Sequence, residues 1–206
     1  MNLKEYARVQ HTRSASLGKL FSWYLINALL FDSWLLPFYT IKRIVLRFFG
    51  AKIGDGVIIK PRVNIKYPWK LTIGNQTWIG EGVWIDNLAL VTIGADCCIS
   101  QGVYLCTGNH DWSDPRFALI TREIVIENQA WIGAFSTICP GVTISEGSVL
   151  AAGSVVTKDT KAWTISAGNP AEFVKDRILQ QHEECHFSPR QCTSHGDQQE
   201  KPFSLL

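Results

Sequence analysis

The sequence has few charged residues, no marked excess of basic ones and no cysteine pattern typical of a disulfide-bonded secreted protein. Only 18% of its 206 residues are charged, and twenty basic side chains nearly balance eighteen acidic ones. A near-neutral chain of this kind offers no broad basic surface for nucleic acid. The six cysteines include no CxxC pair, and residues 1–16 are too polar for a signal peptide. We therefore expect a cytoplasmic protein with free thiols.

The N-terminal part of the chain changes from polar to apolar. Residues 1–16 are expected to be flexible, whereas residues 17–50 are apolar and aromatic and are expected to be helical. Asp32 is the only charge between Leu20 and Ile41, a stretch long enough in principle to span a membrane. Three interpretations are open: a membrane span, a segment resting on a membrane surface, or helices packed on the body or on a sister subunit. Three basic residues follow and would suit either anionic headgroups or a solvated helix face: Lys42, Arg43 and Arg47.

A six-residue repeat runs through residues 51–166. Ile, Leu or Val recurs at every sixth position within each run, and a small or β-branched residue usually follows four positions later. A period of six fits neither a helix nor a single flat strand, whereas three such units close one triangular coil whose strands pair with the next coil. The sequence therefore predicts a mainly β protein built as a parallel β-helix. Its fifteen aliphatic positions are Ile53, Ile59, Ile65, Ile73, Ile79, Ile85, Ile93, Ile99, Leu105, Ile126, Ile132, Ile138, Ile144, Leu150 and Val156.

The repeat is interrupted over residues 106–125. This segment is rich in turn-forming residues, and it carries His110, the only histidine between residues 51 and 166. A long loop that leaves a regular coil is uncommon without a function. Because an imidazole accepts and returns protons near neutral pH, His110 is the candidate general base. Asp111, Asp114 or a backbone carbonyl could orient its ring.

Four segments narrow the interpretation further. Residues 49–54, 60–70, 78–86 and 106–115 resemble the hexapeptide-repeat acyltransferases, in particular the colanic-acid-type polysaccharide acetyltransferases, which are close to the maltose and galactoside acetyltransferases. The resemblance implies a left-handed β-helix, followed by a short C-terminal helix over residues 167–185. Residues 186–206 fit no pattern of the family and are expected to be disordered.

The same resemblance implies an activity and a set of site residues. It implies O-acetyl transfer from acetyl-CoA to a sugar hydroxyl in exopolysaccharide biosynthesis, directly within a ternary complex. It also implies a homotrimer with acetyl-CoA between subunits and an acceptor that is a sugar or a lipid-linked saccharide at the inner face of the cytoplasmic membrane. The residues that match the family's acceptor side are Trp84, Asp86, Asn87 and, on the loop, Asp111. Those that match its cofactor side are Trp131, Ala134, Ala152, Thr157, Lys158 and Lys175.

Several alternatives stay open at this point. The acceptor could be another small molecule, such as an antibiotic, serine or an amino sugar, or the β-helix could be a non-catalytic scaffold. Cys106 lies four residues before His110 and could act as a nucleophile. The related γ-class carbonic anhydrases hold zinc with three histidines, whereas this repeat region has one, so no metal is expected. The tail offers two Cys–His pairs, Cys185 with His186 and Cys192 with His195, but the first pair is too close for ordinary zinc-finger spacing.

Overall fold

Short strands, three to a coil, build most of the molecule. The computed structural model describes residues 15–34 and 38–179. Its helices are α1 (Leu17–Ile26), a π-helical turn (Asn27–Phe31), α2 (Tyr39–Phe48) and a 3-10 turn (Pro68–Lys70). Its strands are β1 (Lys52–Ile53), β2 (Ile58–Ile59), β3 (Asn64–Ile65), β4 (Leu71–Ile73), β5 (Trp78–Ile79), β6 (Trp84–Asp86), β7 (Val91–Ile93), β8 (Cys98–Ile99), β9 (Tyr104–Cys106), β10 (Gly108–His110), β11 (Leu119–Thr121), β12 (Ile124–Ile126), β13 (Trp131–Ile132), β14 (Thr137–Ile138), β15 (Thr143–Ile144), β16 (Val149–Leu150), β17 (Val155–Val156), β18 (Thr164–Gly168) and β19 (Ala171–Asp176).

The strands stack into three parallel sheets, one for each side of the coil. Face A is formed by β1, β4, β7, β12 and β15, and face C by β3, β6, β9, β14 and β17. Face B is formed by β2, β5, β8, β13, β16 and β18, with β19 added at its end. Each strand pairs with its equivalent one coil later, so Ile53 lies beside Ile73 and Ile59 beside Ile79. The predicted parallel β-helix is confirmed.

The aliphatic positions of the repeat form the core. All fifteen are buried, and they stack coil upon coil along the axis. The small residues four positions later are also buried at the corners, with the exception of Ala89. Strand pairing between coils satisfies the backbone groups, as in any parallel sheet. The outward side chains of each strand are therefore what distinguishes one face from another.

The two N-terminal helices cover the open edge of the first coil. Such an edge presents unpaired backbone groups that a protein must cover. The indole of Trp23 donates to the carbonyl oxygen of Ile65 (2.7 Å), and the side chain of Asn27 accepts from the amide of Ile65 (3.1 Å). The ammonium of Lys42 donates to the carbonyl of Lys60 (2.9 Å). Polar side chains of the helices therefore point inward and cap the β-helix. Within residues 15–34 and 38–179, no helix has the length and apolar character needed to cross a bilayer.

Lys42 is expected to make stability depend on pH. Its side chain is fully buried, and desolvation lowers its pKa to about 8 from the ordinary 10.5. Between these values the unfolded chain holds the proton more tightly than the folded chain, so the free energy of unfolding rises with pH, and the charged form destabilises the fold below pH 8. Relative to Lys42→Met, the wild type should gain about 2 kcal/mol between pH 8 and pH 10, measured by urea unfolding. Arg43→Met removes a neighbouring cation that does not titrate in this range, so the gap between this variant and the wild type should not change with pH. A constant gap for Lys42→Met as well would contradict the prediction.

The predicted C-terminal helix over residues 167–185 is wrong within the described residues. β18 and β19 form an antiparallel hairpin, in which Ala167 pairs with Glu172 and Thr164 with Asp176. β18 is the last parallel strand of face B, and its free edge is covered by the returning chain. The helix was implied by the family resemblance alone, and pairing with β18 places the segment in a strand instead. Residues 180–185 and the predicted disordered tail, 186–206, lie outside the described residues, as do residues 1–14 of the segment predicted to be flexible.

Candidate active site

The interruption of the repeat forms a hairpin that projects from the coil. β10 and β11 pair antiparallel, with Gly108 opposite Thr121 and His110 opposite Leu119. The chain leaves the coil after β9 and re-enters it at β12, whose residues lie in register with β7. The core column therefore continues undisturbed past the insertion. His110 lies at the outer end of β10, where the hairpin holds it against the segment that leads into β11.

Phe117 fixes the ring of His110 in two ways. The two rings stack in parallel, with centroids 4.2 Å apart and an interplanar angle of 2°. The Nδ1 atom of His110 lies 2.9 Å from the carbonyl oxygen of Phe117. Because a carbonyl can only accept, Nδ1 carries the proton, and Nε2 is the basic nitrogen of the neutral ring. Of the candidate orienting groups, the backbone carbonyl is the one that this geometry supports.

The two aspartates of the loop are used within the loop. Asp111 accepts hydrogen bonds from the hydroxyl and amide of Ser113 and from the amide of Asp114, and these bonds lower the pKa of its carboxyl. Asp114 accepts from the guanidinium and amide of Arg116, which likewise lowers its pKa. Asp111 therefore shapes the turn, and its predicted contact with the acceptor stays a prediction.

Face C carries the residues predicted to bind the acceptor. Trp84 is half exposed and stacks on Tyr104, one coil later, with ring centroids 4.7 Å apart. Asp86 accepts a hydrogen bond from the Tyr104 hydroxyl (3.2 Å) and forms an ion pair with Lys66 (2.8 Å). Burial, with Cys106 close by, raises the pKa of Tyr104 well above its usual range, so the hydroxyl stays a donor. An aromatic surface beside a carboxylate and an ammonium is well suited to a polyhydroxylated ligand.

Asn87 does not belong to the acceptor surface, contrary to the prediction. Its side chain is fully buried. The amide nitrogen donates to the carbonyls of Tyr67 (2.6 Å) and Lys70 (2.9 Å), and the amide oxygen accepts from the backbone of Tyr67 (2.9 Å). Asn87 thus ties the 3-10 turn at the end of the first coil to the equivalent corner of the second coil. A buried amide whose oxygen and nitrogen are both hydrogen-bonded to backbone supports the site and cannot contact a ligand directly.

The predicted cofactor residues fall into separate groups. Trp131 is half exposed on face B, and its indole donates to the hydroxyl of Ser100 (3.0 Å). Ala134 and Ala152 occupy the next corner in successive coils, where the carbonyl of Ala134 accepts from the amide of Gly153 (2.8 Å). Small side chains there leave the backbone accessible to an extended ligand.

A second group lies at the C-terminal end of the coil. Thr157 and Lys158 line a cleft of about 270 Å³ between the last coil and the β18–β19 hairpin. Lys161 lines the same cleft and adds a second ammonium, which suits phosphate groups. Lys175 lies on β19 opposite Ile165 and is not among the residues that line this cleft.

Three residues of the site were missed by sequence reasoning: Lys66, Tyr104 and Phe117. Lys66 lies twenty residues before Asp86, and Tyr104 lies twenty residues after Trp84, which is one coil in each case. Reading outward positions one coil back and one coil forward would have found both. Phe117 carries no such signal, because its contact with His110 depends on the register of the extruded hairpin.

The Cys106 thiol and possible metal ligands were the remaining alternatives for the site. The thiol of Cys106 donates to the carbonyl of Gly108 (3.0 Å) at the base of the hairpin. Among the described residues, no group of three or more His, Cys, Asp or Glu side chains is placed to hold a metal ion. The Cys–His pairs of the tail lie outside these residues.

A parallel β-helix with a histidine-bearing hairpin between its coils defines a class of transferase. Residues 123–158 match the family model described as bacterial transferase hexapeptide (six repeats). The chain is 40% identical over 166 residues to the putative colanic acid biosynthesis acetyltransferase WcaF of Escherichia coli, which covers 81% of this chain and 91% of that protein. It is 33% identical over 129 residues to the galactoside O-acetyltransferase of E. coli, which covers 61% of this chain and 64% of that protein. The chain therefore belongs to the hexapeptide-repeat acyltransferase family.

A solved structure supports the same conclusion. A hexapeptide-repeat acetyltransferase of Vibrio cholerae O1 biovar eltor, complexed with acetyl coenzyme A, matches with a TM-score of 0.70 and 26% identity, covering 79% of this chain and 87% of that chain. The predicted family and enzyme class are thereby confirmed. The described fold is consistent with the left-handed coil that the resemblance implied.

Proposed function

We propose that the protein transfers an acetyl group from acetyl-CoA to a hydroxyl of a saccharide, with His110 as the general base. The observation that carries this proposal is the way Phe117 holds the ring of His110. The carbonyl oxygen of Phe117 lies 2.9 Å from Nδ1, and the two ring centroids are 4.2 Å apart. This arrangement favours the tautomer whose Nε2 is basic. A hydroxyl is a poor nucleophile toward a thioester until a base takes its proton in the transition state. A preoriented neutral imidazole supplies that base.

In the proposed reaction His110 moves one proton from the acceptor hydroxyl to the departing thiolate. Nε2 of His110 takes the proton of the acceptor hydroxyl as its oxygen bonds to the thioester carbonyl. The tetrahedral intermediate then collapses, the carbon–sulfur bond breaks, and the imidazolium returns the proton to the departing thiolate. Nδ1 keeps its hydrogen bond to Phe117 throughout, which stabilises the imidazolium. Transfer is direct, so no acyl-enzyme forms on Cys106.

The described residues fit coenzyme A as a cosubstrate. Small residues at the corner that holds Ala134 and Ala152 would let the pantetheine arm approach the backbone. Thr157 and Lys158 would face the phosphates in the C-terminal cleft. Trp78 and Trp131 are half exposed on face B two coils apart, with Cys98 between them, and form an apolar column that a sister subunit would cover. We accordingly propose a homotrimer with acetyl-CoA between subunits, to be checked by light scattering.

The acceptor is proposed to be a saccharide of exopolysaccharide biosynthesis. The support is the similarity to the putative colanic acid biosynthesis acetyltransferase, together with the stacked Trp84 and Tyr104 beside the Asp86 carboxylate. The test is release of free thiol from acetyl-CoA with a panel of mono- and oligosaccharides, in parallel with chloramphenicol, serine and glucosamine. Thiol release confined to saccharides is expected. Release with chloramphenicol or serine, or release with glucosamine well above that with glucose, would transfer the proposal to that acceptor class.

Asp86→Asn is expected to weaken acceptor binding selectively. The change keeps the shape of the side chain and an oxygen that can accept from Tyr104, but it removes the negative charge that pairs with Lys66. We expect the KM for the saccharide to rise roughly tenfold, the value of one good hydrogen bond to a charged group, while the KM for acetyl-CoA stays unchanged. Asp96→Asn, at an exposed corner of the third coil, is the matched control and should change neither constant. An equal rise in both KM values would contradict the assignment of Asp86 to the acceptor.

A further inference from the structure

The N-terminal helix α1 turns an apolar face away from the protein. Its inner side packs Trp23 against the first coil, where the ring also contacts Phe31 and Phe49. The outer side is exposed and continues into the π-helical turn. Its large apolar side chains follow one another at intervals of four, three, one and four residues, which places them on one side of the helix. Its large side chains are Leu17, Phe21, Tyr24, Leu25 and Leu29.

The second helix, α2, has the reverse of the usual amphipathic arrangement. Lys42 and Leu46 face the protein, and the ammonium of Lys42 donates a hydrogen bond to the carbonyl of Lys60. Ile41, Ile44 and Phe48 face outward at helical spacing, and Phe48 is 84% exposed. A helix that served only to pack on this body would place these apolar side chains inside. The outward apolar side chains of α1, the π-helical turn and α2 are referred to below as the cap face.

Charge is distributed unevenly along the molecule. Among the described residues from 71 to 179, acidic side chains outnumber basic ones by eleven to six. The described residues up to 70, which form the helices and the first coil, carry nine basic and two acidic side chains. One of those two acids is already paired with Arg47. The basic residues are Lys19, Lys42, Arg43, Arg47, Lys52, Lys60, Arg62, Lys66 and Lys70, and the acidic ones are Asp32 and Asp55.

Several of the exposed cations lie against the helices themselves. Lys60 donates from its ammonium to the hydroxyl of Tyr39 on α2 (3.2 Å). Arg62 is exposed and its amide bonds to the carbonyl of Ser33, just after the π-helical turn. The apolar cap face and the basic end of the coil are therefore one surface.

We propose that the cap face docks on an anionic lipid surface. Aromatic and aliphatic side chains that enter the interface, surrounded by lysine and arginine, are the combination that binds peripheral proteins to acidic membranes. A second copy of this chain is a poorer occupant, because two cap faces brought together would oppose two strongly basic ends. Docking of this kind goes beyond acetyl transfer and needs no catalytic residue.

The position of the cap face also bears on the acceptor. A cleft of about 370 Å³ lies between α1 and the first coil, and Lys66 lines it. Lys66 is the partner of Asp86, so the docked surface adjoins the acceptor side of the molecule. This part of the inference rests on the proposed function, and it favours a saccharide carried on a membrane lipid.

Co-sedimentation of the full chain with vesicles tests the docking directly. One vesicle contains phosphatidylcholine alone and the other contains equal parts phosphatidylcholine and phosphatidylglycerol. We expect binding to the anionic vesicles that weakens as salt is added. Phe21→Ser combined with Phe48→Ser should lower this binding by roughly tenfold or more, because two large apolar side chains are lost from the interface. Ile178→Ser with Leu179→Ser removes two exposed apolar residues from the acidic part and should bind like the wild type.

Each other outcome overturns the docking proposal. No binding to anionic vesicles, or equal loss in both double variants, means that the cap face does not bind lipid. A change of molecular mass in light scattering for Phe21→Ser with Phe48→Ser, without a change in vesicle binding, means that the face is a subunit contact. Thiol release with a water-soluble saccharide is measured on the same preparations. Its persistence in the cap variant shows that a failure of docking is separate from a failure of the proposed catalysis.

Discussion

Replacing His110 with alanine should lower turnover in thiol release by roughly 10²–10⁴-fold, the range found for loss of a positioned general base. The reason is local: no other described side chain of the hairpin is held as His110 is, stacked on Phe117 with Nδ1 on its carbonyl. Because the base acts in the transition state, kcat should fall while the KM for acetyl-CoA changes little. The measurement is the rate of free-thiol appearance at saturating acetyl-CoA, with the thermal unfolding temperature as a check on folding.

Cys106→Ala is the matched control for His110→Ala. Cys106 lies at the base of the same hairpin, and its thiol is engaged with the carbonyl of Gly108. Direct transfer predicts that Cys106→Ala retains turnover within about threefold of wild type, since a thiol–carbonyl hydrogen bond is weak. If instead Cys106→Ala loses activity and His110→Ala keeps it, an acyl-enzyme on the thiol replaces the general-base mechanism. Loss of activity in both variants would point to a cysteine–histidine pair.

The repeat shows why so much of this fold is readable from sequence. A period of six maps each residue directly onto a side, a corner or the interior of the coil, and all fifteen aliphatic positions proved buried. His110 was the candidate base because it is a lone histidine in an interruption of that period, and its role stays a prediction. Trp84 and Asp86 were assigned to the acceptor from the family resemblance; both lie on β6, where Trp84 is exposed and Asp86 is buried, and their role stays a prediction.

The parts that sequence reasoning did not reach depend on contacts that the period does not encode. Phe117 meets His110 because of the antiparallel register of the hairpin, which no six-residue rule determines. Asn87 was assigned to the acceptor from its position beside Asp86, but the corner buries it and uses its amide to fix the 3-10 turn. The segment after residue 167 became a strand because β18 offers a free sheet edge. In each case the outcome depends on a tertiary partner that the six-residue repeat does not specify.

Gly74→Ala should destabilise the fold by about 3 kcal/mol or more, equivalent to a fall of about 10 °C in the unfolding temperature. Gly74 follows the buried Ile73 at a corner of the second coil, and a Cβ there would lie 2.5 Å from the amide nitrogen of Ala95 and 2.5 Å from the carbonyl carbon of Gly94. These are backbone atoms of the next coil, which cannot move aside as a flexible side chain could. To admit the methyl group, the two coils would have to separate and weaken the hydrogen bond from Gly74 to Ile93, now 2.8 Å.

Gly82→Ala separates this steric effect from backbone strain. Gly82 has a φ of +68°, so alanine is strained there, but its Cβ would meet nothing closer than the amide nitrogen of Gly102 at 3.9 Å. Strain of that kind costs about 1 kcal/mol. In urea or thermal unfolding, Gly74→Ala should therefore be much less stable than Gly82→Ala, although only Gly82 has a left-handed conformation. Equal losses would mean that the coils can separate without cost, and that the repeat requires glycine at this corner for its backbone conformation. The larger loss at Gly74 would show that the closeness of successive coils selects glycine there.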